Sequence, residues 1–265
     1  MIFTLDSLDD PRLEPYRRLK ERELARDGRR FIAEGPHLVR RLLDSDFSTE
    51  SVLLSARRAD GFSRQVPDHV PVYILPDPLI HQVIGYRFHS GVIACGRRKP
   101  PVPLATLIPP PPAPARVVVC PEIANTENLG ALIRISAAFG VSAMILGPRS
   151  CDPFFRQSIR VSMGTVFRLP IFCSNDLSKD LNQLRQEHQM RIFATVLDEN
   201  AVELSAVKPP ARSALLFGNE AQGLEKQWVE QADQSITIPM KLGTDSLNIS
   251  VAAAVFLYHF AQAMP

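Results

Sequence analysis

The sequence predicts an α/β protein built around a parallel sheet, and three observations lead there. Short apolar runs alternate with segments of helical spacing along most of the chain. Runs such as VVVC and ALLF are apolar throughout, as strands covered on both faces of a parallel sheet must be. Glycines stand just beyond helical segments, at Gly140 and Gly164, where a left-handed C-cap is wanted. The chain of 265 residues exceeds the usual single domain, and its 45% hydrophobic and 22% charged residues are the ordinary globular mixture.

The stretch KPPVPLATLIPPPPAPA, residues 99–115, carries eight prolines, which exclude helix interiors and central strands alike. It reads as a semi-rigid polyproline linker. The division that follows is an N-terminal domain over residues 1–98, a linker over 99–115 and a C-terminal domain over 116–265, with no internal repeat.

In the first domain, residues 11–26 have helical spacing, RRFIAEG is a strand entering a Gly35-Pro36 turn, and residues 37–43 are again helical. SVLLS, PVYIL and GVIACG read as strands, with a helix over 78–84 between the last two, which makes a small α/β domain. The second domain alternates more regularly. Strand RVVVCPEI, helix 129–139, strand SAMIL, helix 153–163 and strand FRLPIF come first. A helix from about Asp176, strands RIFATV and ALLFG, a short helix after Gly223, strand SITIP and a long apolar helix from Asn248 complete it.

A net charge of +2 excludes the strongly basic type of nucleic-acid binder but allows a local basic face. Of 30 basic residues only six are lysine, and between Arg12 and Arg41 ten basic residues face five acidic ones. Arginine suits bidentate phosphate contact and base stacking, although a solvated helix side or a GC-rich genome gives the same composition. Cys95, Cys120, Cys151 and Cys173 lie more than twenty residues apart with no metal-ligand spacing, and read as reduced core thiols. The N-terminus lacks a charged segment followed by an apolar one, and the apolar run 249–260 is too short to span a bilayer, so the cytoplasm is expected.

Neither a G-x-G-x-x-G after a strand nor a phosphate-binding P-loop is present, since GNEAQG (218–223) lacks the Lys-Ser/Thr that follows one. Three polar loops instead follow predicted strands, where α/β proteins place ligands: NTENLGALIR (125–134), LLFGNEAQGL (215–224) and IPMKLGTDSLNISVAAA (238–254). Each alone has a plain structural reading, with Asn and Asp in turns, Gly at positive φ and Ser or Asn at a helix cap. Together, in order and over about 150 residues, they resemble the signature motifs of the SpoU (TrmH) family of RNA 2′-O-methyltransferases, a branch of the SPOUT superfamily. DPFFRQSIRVSMGTVFRLPIF (152–172) resembles the family's Arg-x-Ser-Met-Gly segment. AEGPHLVRRLL and the Phe88, Ser90, Gly91 turn are similar to its substrate-binding domain, itself like a ribosomal-protein RNA-binding fold.

The resemblance implies features that spacing does not show. It implies a deep trefoil knot in the C-terminal sheet, where connection rules alone give an unknotted chain. It implies S-adenosylmethionine as cofactor without metal, RNA as substrate, and a homodimer. By motif position, Asn128 and Arg134 match the first motif, Glu220 the second, and Ser246 and Asn248 the third, all as catalytic candidates. Main-chain groups at Gly218, Ile238 and Leu247, beside Thr195, would hold the donor, and Arg17, Arg18, Arg30 and Arg160 would meet RNA.

The family's proposed base is the arginine matching Arg134. A guanidinium, with a reference pKa above about 12, would cost roughly 7 kcal/mol to carry neutral at pH 7, at about 1.4 per unit. Two roles stay open: a base with depressed pKa, or a charged clamp on the target phosphate beside a stabilised alkoxide. The family's extra N-terminal domain favours ribosomal over transfer RNA. The competing readings are a catalytically silent RNA-binding factor of the same fold, which loss of Arg134, Glu220 or Asn248 would signal, and a SPOUT enzyme acting on a base nitrogen.

Overall fold

The computed structural model describes residues 1–17, 19, 28–242 and 245–262, and they fall into two compact units. Unit 1 comprises residues 1–100 and 154–167, and unit 2 comprises residues 101–153 and 168–265.

Unit 1 is a five-stranded mixed sheet with helices. Its strands are β1 (Ile2–Thr4), β2 (Arg30–Glu34), β3 (Thr49–Ser55), β4 (Val72–Leu75) and β5 (Val92–Arg97), in the order β1-β4-β3-β5-β2. β1, β4 and β3 run parallel, whereas β5 is antiparallel to both β3 and β2. Helices α1 (Pro36–Leu43), α2 (Ala56–Phe62) and α3 (Asp77–Ile84) lie between the strands in sequence. Leu13, Tyr16, Ile32, Leu53, Leu75, Ile80 and Ile93 belong to one buried cluster, with the Tyr16 hydroxyl 2.7 Å from Ser51 Oγ.

Of the helix expected over 11–26, Pro11–Tyr16 is a 3-10 helix that ends at extended Arg17, and residues 18 and 20–27 lie outside the described residues. Pro15 inside that turn removes an amide that a longer helix would need.

The expected boundary needs a correction, because residues 154–167 belong to unit 1 rather than to the C-terminal half. This segment holds α5 (Arg156–Val161), shorter than the helix expected over 153–163. Phe31 stacks on Phe167 at 5.4 Å and contacts Phe154 at 5.1 Å, while Phe47 meets Phe31 edge-on at 5.6 Å. Arg156 lies 4.9 Å over the Tyr86 ring, and the Tyr86 hydroxyl donates to Glu34 at 2.6 Å. The Arg41 guanidinium donates to the Met163 carbonyl. Apolar stacking plus these polar ties explain why the segment packs here.

Unit 2 is a seven-stranded, fully parallel sheet. Its strands are β6 (Ala115–Cys120), β7 (Ala143–Leu146), β8 (Ile171–Cys173), β9 (Arg191–Thr195), β10 (Val202–Glu203), β11 (Arg212–Leu216) and β12 (Gln234–Thr237). Their order is β10-β12-β9-β11-β6-β7-β8. The helices are α4 (Thr126–Ala138), α6 (Leu177–Gln186), α7 (Lys226–Glu230) and α8 (Ile249–Ala261). The expected strand FRLPIF shrinks to β8, because Thr165–Phe167 turns as a 3-10 helix and Phe167 is spent in unit 1.

The proline-rich stretch is not a free spacer. Leu104 and Ile108 are buried in the cluster formed by Val117, Val119, Ile145, Leu181 and Leu216. The Arg212 guanidinium fixes the prolines' main chain, donating to Pro109 O at 2.9 Å and to Ala113 O, while its Nε donates to His188 O at 2.7 Å. Arg116, only 1% exposed, donates to Phe139 O at 3.3 Å and to Phe260 O, at the C-terminal ends of α4 and α8. Two helix C-termini supply the partial negative charge that a buried guanidinium needs when no carboxylate is at hand.

Two thiols depart from expectation: Cys173 is exposed and Cys151 half-buried, while Cys95 and Cys120 are core. Among the described residues, no helix is long and apolar enough to cross a membrane.

Candidate functional site

The site is assembled at the carboxyl ends of β6 and β11. α4 starts three residues earlier than expected, because Asn125 takes an extended conformation and caps it. Asn125 Oδ1 accepts from Glu127 N at 2.8 Å and from Asn128 N at 3.2 Å. That cap aims Asn128 at the loop following β11. Its Nδ2 donates to Glu220 Oε1 at 3.1 Å, and the Asn125 amide approaches the same oxygen at 3.4 Å.

The third motif closes the chain of contacts. Asn248 Nδ2 donates to Asn128 Oδ1 at 3.2 Å, and Asn248 Oδ1 accepts from Ser250 N at 2.9 Å and Ser250 Oγ at 2.6 Å, capping α8. The result is a directional relay in which Asn248 donates to Asn128 and Asn128 donates to Glu220. It places the N-terminus of α4 beside the Glu220 carboxylate, where the positive end of that helix dipole favours a negative charge, and ties the N-cap of α8 to it through Asn128.

Glu220 rides on a loop closed by reciprocal main-chain bonds, Asn219 N to Gly223 O at 2.8 Å and Gly223 N to Asn219 O at 2.9 Å. Asn219 Oδ1 accepts from Ala221 N and Gln222 N at 2.9 and 3.3 Å. Gly218 is required by this closure, since a Cβ there would stand 2.1 Å from Gly223 C and 2.2 Å from Leu224 N. Burial, with a smaller push from the Glu220 charge, raises the Cys120 thiol well above its ordinary value, and burial lifts Cys151 to about 11, both away from the thiolate form.

Asn128, Glu220 and Asn248 are thus brought together, and two other candidates are not. Arg134 is exposed on α4, with no hydrogen-bond or ion-pair partner among the described residues, and Ser246 is exposed without a bond to the relay. Thr195 ties the ends of β9 and β11, its hydroxyl donating to Leu216 O at 2.7 Å. Ile238, just after β12, and Leu247, just before α8, are half-buried.

The arginines proposed for RNA have mixed fates. Arg17 donates to the carbonyls of Leu8 and Asp10, and Arg30 donates to Glu50 at 2.7 Å, so both are partly spent on the fold. Arg160 is exposed at the end of α5, and Arg18 lies outside the described residues.

Four residues escaped sequence reasoning in whole or part. Asn125 was visible as Asn-x-x-Asn ahead of an apolar run, a capping signal. Asn219, Glu122 and Arg149 meet through space and carry no local pattern. Among the described residues no group of His, Cys, Asp and Glu could hold a metal.

The chain matches the SpoU rRNA Methylase family over residues 115–258. It is 34% identical to an uncharacterized tRNA/rRNA methyltransferase of Mycobacterium bovis, covering 94% of this chain and 88% of that one. It is 24% identical to the 23S rRNA (guanosine(2553)-2′-O)-methyltransferase RlmP of Bacillus subtilis, over 96% of this chain and 98% of that one. Its fold is similar to the AdoMet-bound rRNA methyltransferase from Sinorhizobium meliloti, with a TM-score of 0.85, 24% identity, and coverage of 100% and 99%.

Proposed function

The chain belongs to the SpoU rRNA Methylase family, and from that membership and the relay we infer that it methylates a ribose 2′-hydroxyl of structured RNA, with ribosomal RNA as substrate. It is an RNA methyltransferase whose methyl donor is S-adenosylmethionine. The observation that carries the finer reading is the Asn248–Asn128–Glu220 relay, which joins three loops far apart in sequence at the carboxyl ends of parallel strands. The relative from Bacillus subtilis, named for 2′-O-methylation of 23S rRNA, supports ribose as the target.

When bound, the donor supplies an electrophilic methyl group. Gly218, Ile238 and Leu247 would offer main-chain groups to it, with Thr195 keeping the strand ends together. Asn128 and Glu220 orient the loops, and the N-terminus of α4 beside them favours the negative charge that grows on the ribose oxygen as its proton leaves. Arg134, exposed with its donor fork uncommitted among the described residues, suits a clamp on the target phosphate better than a base.

A second copy of the chain completes the assembly. Along α8, Val251, Val255 and Tyr258 are 50%, 40% and 59% exposed at helical spacing, while Ala253, Phe256, Leu257 and Phe260 face the core. A stripe this apolar on the helix capped by Asn248 is what a homodimer would cover. A knotted threading of this sheet, whose order is β10-β12-β9-β11-β6-β7-β8, is what the family resemblance implies. Unit 1, with exposed Arg160 and its many arginines, would carry the RNA contacts.

The test is incubation with S-adenosylmethionine carrying tritium in its methyl group and ribosomal RNA from a strain lacking the gene, then digestion to nucleosides. Label in a 2′-O-methylated nucleoside supports the reading. Label in a methylated base would move the chain to another reaction, and none in ribosomal RNA but some in transfer RNA would change the substrate.

A further inference from the structure

We propose that Glu122 and Arg149 are positioning residues that pin the loop 218–223 at both ends, hold Glu220 on Asn128, and so set affinity for the methyl donor. The proposal rests on the methyltransferase reading above.

The pins come from outside the three motifs. Glu122 follows β6 and Arg149 follows β7, each just beyond a strand's carboxyl end. At the loop's start, Asn219 spends its Oδ1 on the amides of Ala221 and Gln222 and turns Nδ2 to Glu122 Oε1 at 3.3 Å. Glu122's other oxygen meets Arg149 Nε at 3.0 Å. The far arm of the same guanidinium donates to Glu225, two residues past the loop, whose other oxygen accepts from Gln227 Nε2. One planar fork therefore serves two carboxylates at once. The Arg149 hydrogen bond also holds the Glu225 carboxyl below its ordinary range. Beyond the loop, Leu224 and Trp228 pack against the apolar core, so the exit is anchored by burial and the loop itself by polar ties.

Exposed ion pairs of this kind add little to global stability, and Arg149 is 55% exposed. Their leverage is local. A short loop has little buried area, so a small energy decides what fraction of molecules holds the competent form. Apparent donor affinity scales with that fraction.

The experiment uses full-length protein with Arg149→Ala, Arg149→Lys and Glu122→Gln. Titration calorimetry with S-adenosylmethionine, steady-state kinetics, thermal unfolding, and hydrogen exchange of peptides covering residues 215–228 are measured. Arg149→Ala is expected to raise donor Kd and KM about ten-fold by lowering the competent fraction, and to speed exchange within 215–228. The RNA KM, kcat at saturating donor and the unfolding midpoint should stay near wild type. Arg149→Lys should recover only part of the affinity, since an ammonium cannot bridge both carboxylates in plane, and Glu122→Gln should fall between. Wild-type donor affinity with unchanged exchange in Arg149→Ala would overturn the proposal, as would faster exchange spread through the chain with a lowered midpoint. Wild-type protein that bound no donor would instead sink the methyltransferase reading, while the exchange result would still decide the pinning.

Discussion

Replacing Asn248 by aspartate separates the two duties of this side chain. Its Oδ1 caps α8 by accepting from Ser250 N and Oγ, and its Nδ2 donates to Asn128 Oδ1 at 3.2 Å. Aspartate caps a helix about as well as asparagine, so α8 should stay in place, whereas alanine would lose about 1 kcal/mol of capping. A carboxylate cannot donate to Asn128, however. Asn128 can rotate its amide to satisfy the new acceptor, but it then presents its own oxygen to Glu220, now 3.1 Å from Nδ2. Either way one polar contact of the relay passes to water, since Glu220 and Asn248 are exposed, and the loops hold their register less tightly by about 0.5–1.5 kcal/mol. At about 1.4 kcal/mol per factor of ten, turnover should fall by roughly 2- to 10-fold. Asn248→Asp should therefore lose turnover on ribosomal RNA at saturating donor while its unfolding midpoint stays within about 2 °C, and Asn248→Ala should drop the midpoint by about 2–4 °C as well. Wild-type turnover by Asn248→Asp, with only Asn248→Ala impaired, would reduce Asn248 to a helix cap and refute the relay.

Arg134→Ala should leave S-adenosylmethionine affinity within a few-fold and lower turnover by at least about 100-fold. Little rescue by Arg134→Lys at any pH fits the clamp, and rescue that grows with pH would restore the base. The wild type is expected to give a dimer by light scattering at micromolar concentration, and Val255→Asp, which places a charge in the exposed stripe of α8, a monomer; a monomeric wild type would remove the dimer. His188 is buried, with neither ring nitrogen hydrogen-bonded among the described residues, and desolvation plus the nearby Arg212 charge hold its pKa below the ordinary value. The unfolded chain takes up this proton near pH 6.5 and the folded chain only at lower pH, so stability should fall with pH below about 6.5. His188→Phe should flatten that slope in thermal melts, and an unchanged slope would acquit His188.

Much of this was legible in the sequence, for reasons that particular elements make plain. β6, β7, β9 and β11 are apolar on both faces, so period and composition marked them as strands. Asn128, Glu220 and Asn248 sat in loops after strands and formed a contact network. Legibility ended where structure depends on distant partners. Segment 154–167 followed the alternating pattern of the C-terminal half, and nothing local showed that Phe154 and Phe167 pack on Phe31. The proline stretch read as a semi-rigid linker because its two anchors, Leu104 and Ile108, are apolar residues between prolines, and its third, Arg212, comes about a hundred residues later. β1 and β10, three and two residues long, are too short for any periodicity to register.

The return of residues 154–167 to unit 1 bears on how such a gene could be cut and rejoined. The chain passes between the units three times, near residues 100, 153 and 167, so the two halves are not beads on a string. No single splice point separates them. A fragment ending at residue 100 would carry Phe31 without the two rings that stack on it, and a fragment starting there would carry those rings with nothing to stack on. A transplanted substrate domain would have to bring its own matching insert along. Recombination between relatives should therefore succeed only when both pieces come from one parent, which makes the two units inherit together.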